Sequence, residues 1–243
     1  NTDPDLIAYL PSKAGPVKEC VEAGMTRISQ LPPGAIKTDR NAMVREAVLR
    51  NRAVVVEAVA KVIASLSYPR HFVDFEAAGF AIPRFDGMRA HEAVVFQFSV
   101  HTVQAPGAEP QHKEFLDVSG SDPRRAFAEW LIESVGDEGP VMVFSAYERT
   151  RIKELAVLMP DLRDKLLKVS DRLVDLLPMA RRGYYHPSMR GSWSLKAIVP
   201  TLPKATGEDE YAELDEVADG LAAQGAYSEM VNPAVIGPQK EAL

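Results

Sequence analysis

Asp74 and Glu76 are the residues whose types and spacing first suggest chemistry in this sequence of 243 residues. They close the run His71-Phe72-Val73-Asp74-Phe75-Glu76, aromatic and β-branched enough to read as a strand. Residues two apart in a strand face the same side, so both carboxylates project together. Two hard oxygen donors on a rigid element suit Mg²⁺ or Mn²⁺. The triplet alone says little in a chain with 34 acidic residues, and Asp3/Asp5, Glu208/Glu210 and Glu213/Asp215 repeat it. Placement separates them. Only Asp74 and Glu76 terminate an apolar strand, where two unneutralised anions are costly without a cation. The expectation is a metal role, against a solvated strand end.

Glu148 comes next, in Ser145-Ala146-Tyr147-Glu148, just past the apolar run Val141–Phe144. If the first and fourth core strands are neighbours, Glu148 approaches the Asp74/Glu76 pair. The alternative is an acid favoured by the dipole of a helix's first turn. Asp175 sits inside the apolar run Arg172–Leu177 and reads equally as a ligand, a cap or a partner of the ligands. It joins Asp74, Glu76 and Glu148 as a candidate catalytic acid, with Tyr147 beside them as a substrate contact. Gly191–Lys196 precedes a predicted helix, where Ser194 and Lys196 suit either phosphate contact or simple capping. The five histidines lack metal-ligand spacing; His186 is the better candidate for a general base or phosphate contact, and His101 shares a strand face with Gln97. No serine-nucleophile elbow, P-loop or Gly-x-Gly-x-x-Gly pattern occurs.

The formal net charge is −6, with 28 Lys and Arg against the 34 acids. Holding a nucleic acid through overall charge is therefore excluded. Bound cations or a local basic patch must do it, and Arg181, Arg182, Arg190 and Lys196 offer one. The single cysteine, Cys20, excludes an internal disulfide and a cysteine-cluster metal site, which fits a reducing cytoplasmic home. No apolar run approaches the roughly 20 residues of a membrane span, and no signal peptide opens the chain. Asn1 in place of Met sets the expectation of a piece of something longer.

These residues need elements to hold them. Residues 1–37, broken by Pro4, Pro11, Pro16, Pro32 and Pro33, read as an extended, linker-like lead-in. Thr38 to about Leu66 turns helical, with Asn51 and Arg52 as the division between two helices. Residues 1–66 thus precede a domain over 67–243. That domain begins with strands at 71–76, 94–101 and 114–118, then a helix from Asp122 to about Val135. A buried strand over 141–144 and a helix over about 147–158 follow. Pro178–Trp193 reads as a long ordered loop, with helices near Ser194 and from about Glu216 to Met230. Three consecutive strands pair as an antiparallel meander, and a helical crossover adds a parallel fourth. The expected fold is α/β, a ribonuclease-H-like mixed sheet flanked by helices.

Several stretches then carry a family resemblance: Tyr68-Pro69, Phe72–Glu76, Ile82–Gly87, Phe96–His101, Asp122–Ala126, Ser145–Glu148, Asp175–Pro178 and Tyr185–Ile198. As an ordered set over about 68–230 they resemble a bacterial family, domain of unknown function 2779, placed among ribonuclease-H-like folds. The resemblance implies a DEDD-type 3′–5′ exonuclease-like site of four acids. Asp74 and Glu76 look like its first motif and Glu148 like its second. The general exonuclease pattern has Asp where this chain has Glu148, and the family usually has Asn where it has Ser145. The family's third motif, a Tyr-Cys-x-x-Asp-Thr helix, has no counterpart before Leu243, so the domain is expected to be truncated at its C-terminal end. Asp219 is a substitute acid that reads as part of the preceding helix. An upstream RecB-like nuclease domain often accompanies the family.

The resulting expectation is a two-metal phosphodiesterase acting on DNA or RNA, with Asp74, Glu76 and Glu148 holding Mg²⁺ or Mn²⁺. The alternative is a non-catalytic ribonuclease-H-like module that binds nucleic acid or a protein partner beside another nuclease domain.

Overall fold

The computed structural model describes residues 3–203 and 220–231. By their contacts, the described residues fall into two units: residues 3–66 with 176–203, and residues 67–175 with 220–231.

The first unit starts where the sequence predicts an open, extended segment, and the structure corrects that expectation. Short turns and the helix α1 (Pro16–Glu22) bury Ile7, Leu10, Val17, Ile28, Leu31 and Ala35. Each turn contributes only one or two buried side chains, so no period accumulates. Helix α2 (Asp39–Arg50) begins at Thr38, whose hydroxyl accepts the Asn41 N–H at 3.2 Å. It ends at Asn51, which adopts the left-handed conformation (φ 45°), at the division read from the sequence. The two-residue strand β1 (Val54–Val55) and helix α3 (Glu57–Ala64) follow.

The second unit is built on a five-stranded sheet. Strands β2 (Arg70–Gly79), β3 (Ala93–Val103) and β4 (Gln111–Leu116) form an antiparallel meander. Helix α4 (Arg124–Val135) leads to β5 (Val141–Val143), which lies parallel to β2. Helices α5 (Tyr147–Leu158) and α6 (Arg163–Asp171) lead to β6 (Leu173–Asp175), parallel to β5. The order across the sheet is β4-β3-β2-β5-β6. The fifth strand of this sheet is one the sequence did not disclose, since its three residues end on an acid.

One sheet face is apolar. Val73, Phe75, Ala77, Phe98, Val100, Val141 and Val143 pack against Phe127 and Leu131 of α4, Ile152 and Leu155 of α5, and Leu166 and Val169 of α6. Phe127 is the hub, its ring edge-on to Phe75 at 4.9 Å and to Phe98 at 5.2 Å. Arg172 closes the far end of α4: its guanidinium donates to the carbonyls of Val135, Gly136, Glu138 and Gly139. That supplies partners to backbone oxygens a helix end leaves over. Buried His71 ties β2 to the same loop. In the neutral ring Nε2–H donates to the Glu138 carbonyl and Nδ1 accepts from the Thr102 hydroxyl, both at 3.0 Å. Burial, the largest influence, pushes the ring's pKa below the ordinary 6.5 and so favours that form.

The chain then returns to the first unit with α7 (Leu176–Gly183), β7 (Tyr184–Tyr185) and α8 (Leu195–Ile198). Part of the predicted long loop is therefore regular. Pro178 stands in the first turn of α7, where a missing N–H costs little. Gly183 permits a close approach, because an added Cβ would stand 2.6 Å from Val59 Cγ1. β7 pairs with β1 antiparallel, and Tyr185 is buried beside Trp193, ring centroids 5.1 Å apart.

Helix α9 (Gly220–Met230) belongs to the sheet unit and covers one end of its second face. Ala223, Tyr227 and the following Val231 bury Ala78, Phe80, Val94 and Phe96. Tyr227 stacks on Phe96 at 3.9 Å and donates to Asp117 Oδ2. Among the described residues no helix is long and apolar enough to cross a membrane.

Candidate functional site

The remainder of that second face carries polar chemistry. The strand register arranges it in rows across three strands: Phe72, His101 and His112; then Asp74, Ser99 and Glu114; then Glu76, Gln97 and Leu116. Asp74 and Glu76 share the face, as their spacing predicts. Between Glu76 and Ala77 the register slips, so Phe96 is an extra residue in β3. Phe96 and Gln97 consequently lie on the same side, one under α9 and the other in the acidic row.

Asp74 keeps solvent access, yet enough protein surrounds it that burial pushes its carboxyl above the ordinary 3.8. The Phe75 amide pulls the other way and is outweighed. Glu76 is half-buried, and its charge acts on the Tyr147 phenol.

Glu148 reaches the same neighbourhood from the adjacent strand. β5 ends at Val143, and Ser145 turns the chain into α5 by accepting the Tyr147 N–H at 3.0 Å. The same hydroxyl donates to Glu148 Oε2 at 3.2 Å. Glu148 is 5% exposed, unusual for an acid in a helix's first turn, where the dipole alone would let it stay in water. Burial is the main force raising its carboxyl above the ordinary 4.5. The negative charges of Asp74 and, less strongly, Asp175 add to it, against its own backbone amide and Ser145.

Asp175 ends β6 in register with Val143, half-buried. Arg149 of α5 secures that strand by donating to the carbonyls of Ser170 at 2.6 Å and Leu173 at 2.8 Å. Tyr147 lies at the rim, partly exposed, with the Arg151 guanidinium 5.1 Å from its ring centre. Burial raises the phenol further, so it remains a protonated donor at neutral pH.

Five predicted site residues, Asp74, Glu76, Tyr147, Glu148 and Asp175, thus belong to the sheet unit: Asp74 and Asp175 act on the Glu148 carboxyl, and Glu76 and Glu148 on the Tyr147 phenol. His186, Arg190, Ser194 and Lys196 belong to the other unit. There His186 Nδ1 accepts the Ser188 N–H at 3.1 Å, and Arg190, Ser194 and Lys196 are exposed. Ser194 makes no side-chain cap to α8, which is only four residues long. Asp219 lies outside the described residues.

The donor set fits a hard divalent ion in kind: carboxylates whose burial and mutual repulsion leave charge to be neutralised. Among the described residues, no three of His, Cys, Asp or Glu converge on one point as a ready-made metal site.

Sequence reasoning missed Ser99 and His112. The register brings the Ser99 hydroxyl to 3.0 Å from His112 Nε2 and stacks His112 on His101 at 4.4 Å. The available signal was the hairpin itself: a turn at Pro106-Gly107 sets 101 opposite 112 and 99 opposite 114.

One protein-family model, described as domain of unknown function 2779, matches residues 71–194, just over half of the chain. The matched segment contains Asp74, Glu76, Glu148 and Asp175. No curated protein and no solved structure matches the chain.

Proposed function

The chain belongs to the domain of unknown function 2779 family, and from that premise we propose that it is a metal-dependent phosphodiesterase of the ribonuclease-H-like, DEDD exonuclease kind, cutting DNA or RNA. The observation that carries the reading is Glu148: an acid buried in the first turn of the helix that follows the adjacent parallel strand β5, with Asp74 acting on its charge. The sheet order supports it, with a three-strand meander followed by two parallel strands reached through helical crossovers.

Asp74 and Glu76 would hold Mg²⁺ or Mn²⁺ from the open sheet face, together with Glu148. A divalent ion bound there supplies a polarised phosphoryl oxygen and a water of lowered pKa. The residues themselves do the rest. Ser145 fixes the Glu148 carboxylate by its hydroxyl proton, and the same oxygen sets the first turn of α5. Tyr147, protonated at the rim, offers its O–H to a phosphate oxygen. The α4–α6 core keeps water from the back of the sheet, so the carboxylates face a single approach.

The test is Mn²⁺-dependent degradation of end-labelled single-stranded DNA and RNA, with Asp74→Asn beside the wild type. Cleavage by the wild type alone supports the reading. Equal activity in both, or none in either, rejects it. None in either, with nucleic acid still bound, points to the non-catalytic module.

A further inference from the structure

The row preceding the acids has no part in the chemistry above. Phe72 is 40% exposed on the open face. Across β3 and β4 the register puts His101 and then His112 beside it, and the two imidazoles stack with an interplanar angle of 15°. One row further along, Arg70 carries a positive charge 4.1 Å over the Tyr68 ring. The face is therefore graded: a cation at one end, an aromatic row, then two rows containing Asp74, Glu114 and Glu76.

We infer that the Phe72–His101–His112 row is a stacking platform for the bases of a single-stranded nucleic acid whose phosphodiester lies at the acidic rows. The inference rests on the nuclease reading for its choice of polymer. Sheet faces bearing exposed aromatic side chains bind unpaired bases through their π-faces, without regard to sequence. The grading matches a polyanion: phosphates toward Arg70, and the scissile phosphate toward the acids, where a metal would bridge like charges during cleavage. Exposed aromatic side chains reach the π-faces of unpaired bases and not those stacked inside a duplex, which selects a single strand.

The experiment measures binding of the full chain in EDTA, by fluorescence anisotropy. The probes are labelled single-stranded DNA and RNA oligonucleotides, the same strands with abasic sites, and a duplex. Base-bearing single strands are expected to bind about tenfold or more tightly than abasic strands or duplex. The triple variant Phe72→Ala, His101→Ala, His112→Ala should fall to the abasic level, leaving abasic binding unchanged. Equal binding of base-bearing and abasic strands by the wild type overturns the proposal, whether or not the variant folds. A variant that folds and keeps the difference also overturns it. Mn²⁺-dependent cleavage is scored separately. Cleavage without base-dependent binding removes the platform and keeps the nuclease; base-dependent binding without cleavage does the reverse.

Discussion

Two sets of acids in the sheet unit are held in opposite ways. Asp122 and Asp161 face arginines. Asp122 grips the buried Arg124 guanidinium at 2.6–3.1 Å, and Arg125 holds the exposed Asp161 at 2.7 Å, keeping its carboxyl below the ordinary value. Asp74 and Glu148 are instead raised, chiefly by burial, and Asp74's charge is among the forces on Glu148. Of the first set, the pair on buried Arg124 supports the fold and the exposed pair on Arg125 does not. The second set strains the fold, because burial opposes the charged form of each carboxyl.

The largest effect that could break this contrast is on cleavage. Asp74→Asn preserves shape and removes charge, and should lower Mn²⁺-dependent cleavage by about 10³-fold or more, measured under single-turnover conditions. Asp122→Ala should leave chemistry alone and destabilise the fold by about 3 kcal/mol in urea titration. It strips a partner from a guanidinium that is 4% exposed, although Glu92 at 3.6 Å remains.

Glu148→Gln should have the opposite sign. The metal-free chain gains about 0.5–2 kcal/mol, while the rise in thermal midpoint on adding Mn²⁺ shrinks. A metal-free chain destabilised by this substitution would mean that Glu148 belongs with the structural acids.

The pH dependence is smaller and sharper. Raised carboxyls bind protons in the folded state above the pH at which the unfolded chain releases them. The stability they contribute is full below the ordinary values of 3.8 and 4.5 and is lost as pH rises through the raised ones. The difference between wild type and an Asp74→Asn, Glu148→Gln variant should therefore widen with pH over that window. His71, lowered chiefly by burial, adds an opposite slope at higher pH. Its stability is full above the ordinary 6.5 and is lost as pH falls toward the lowered value, a slope that its replacement should remove. Smallest of all, Arg125→Ala should leave the urea midpoint unchanged, since its pair with Asp161 is exposed and screened.

The strained set was the part most legible in the sequence. A period of two put Asp74 and Glu76 together, and the apolar run before Ser145 placed Glu148 at a strand's end. Elements built on local pattern were equally legible: β2, β3, β5, α4 and α5 all carry their own periodicity. What stayed hidden depends on distant partners. β1 and β7 have two residues each and exist only through one another. β6 is a strand because Val141–Val143 lies alongside it. The burial of residues 7–35 comes from separate turns, one side chain at a time. His112 gained meaning only once the hairpin register set it against His101.

The slip between Glu76 and Ala77 has a last consequence. A strictly alternating β3 would turn its side chains over at that point, sending either the α9 contact or the row of Gln97, Ser99 and His101 to the wrong side of the sheet. One surplus residue resets the phase. It lets a greasy stretch and a hydrophilic stretch of a single strand look outward in the same direction, so excising Phe96 would deprive the chain of more than one ring.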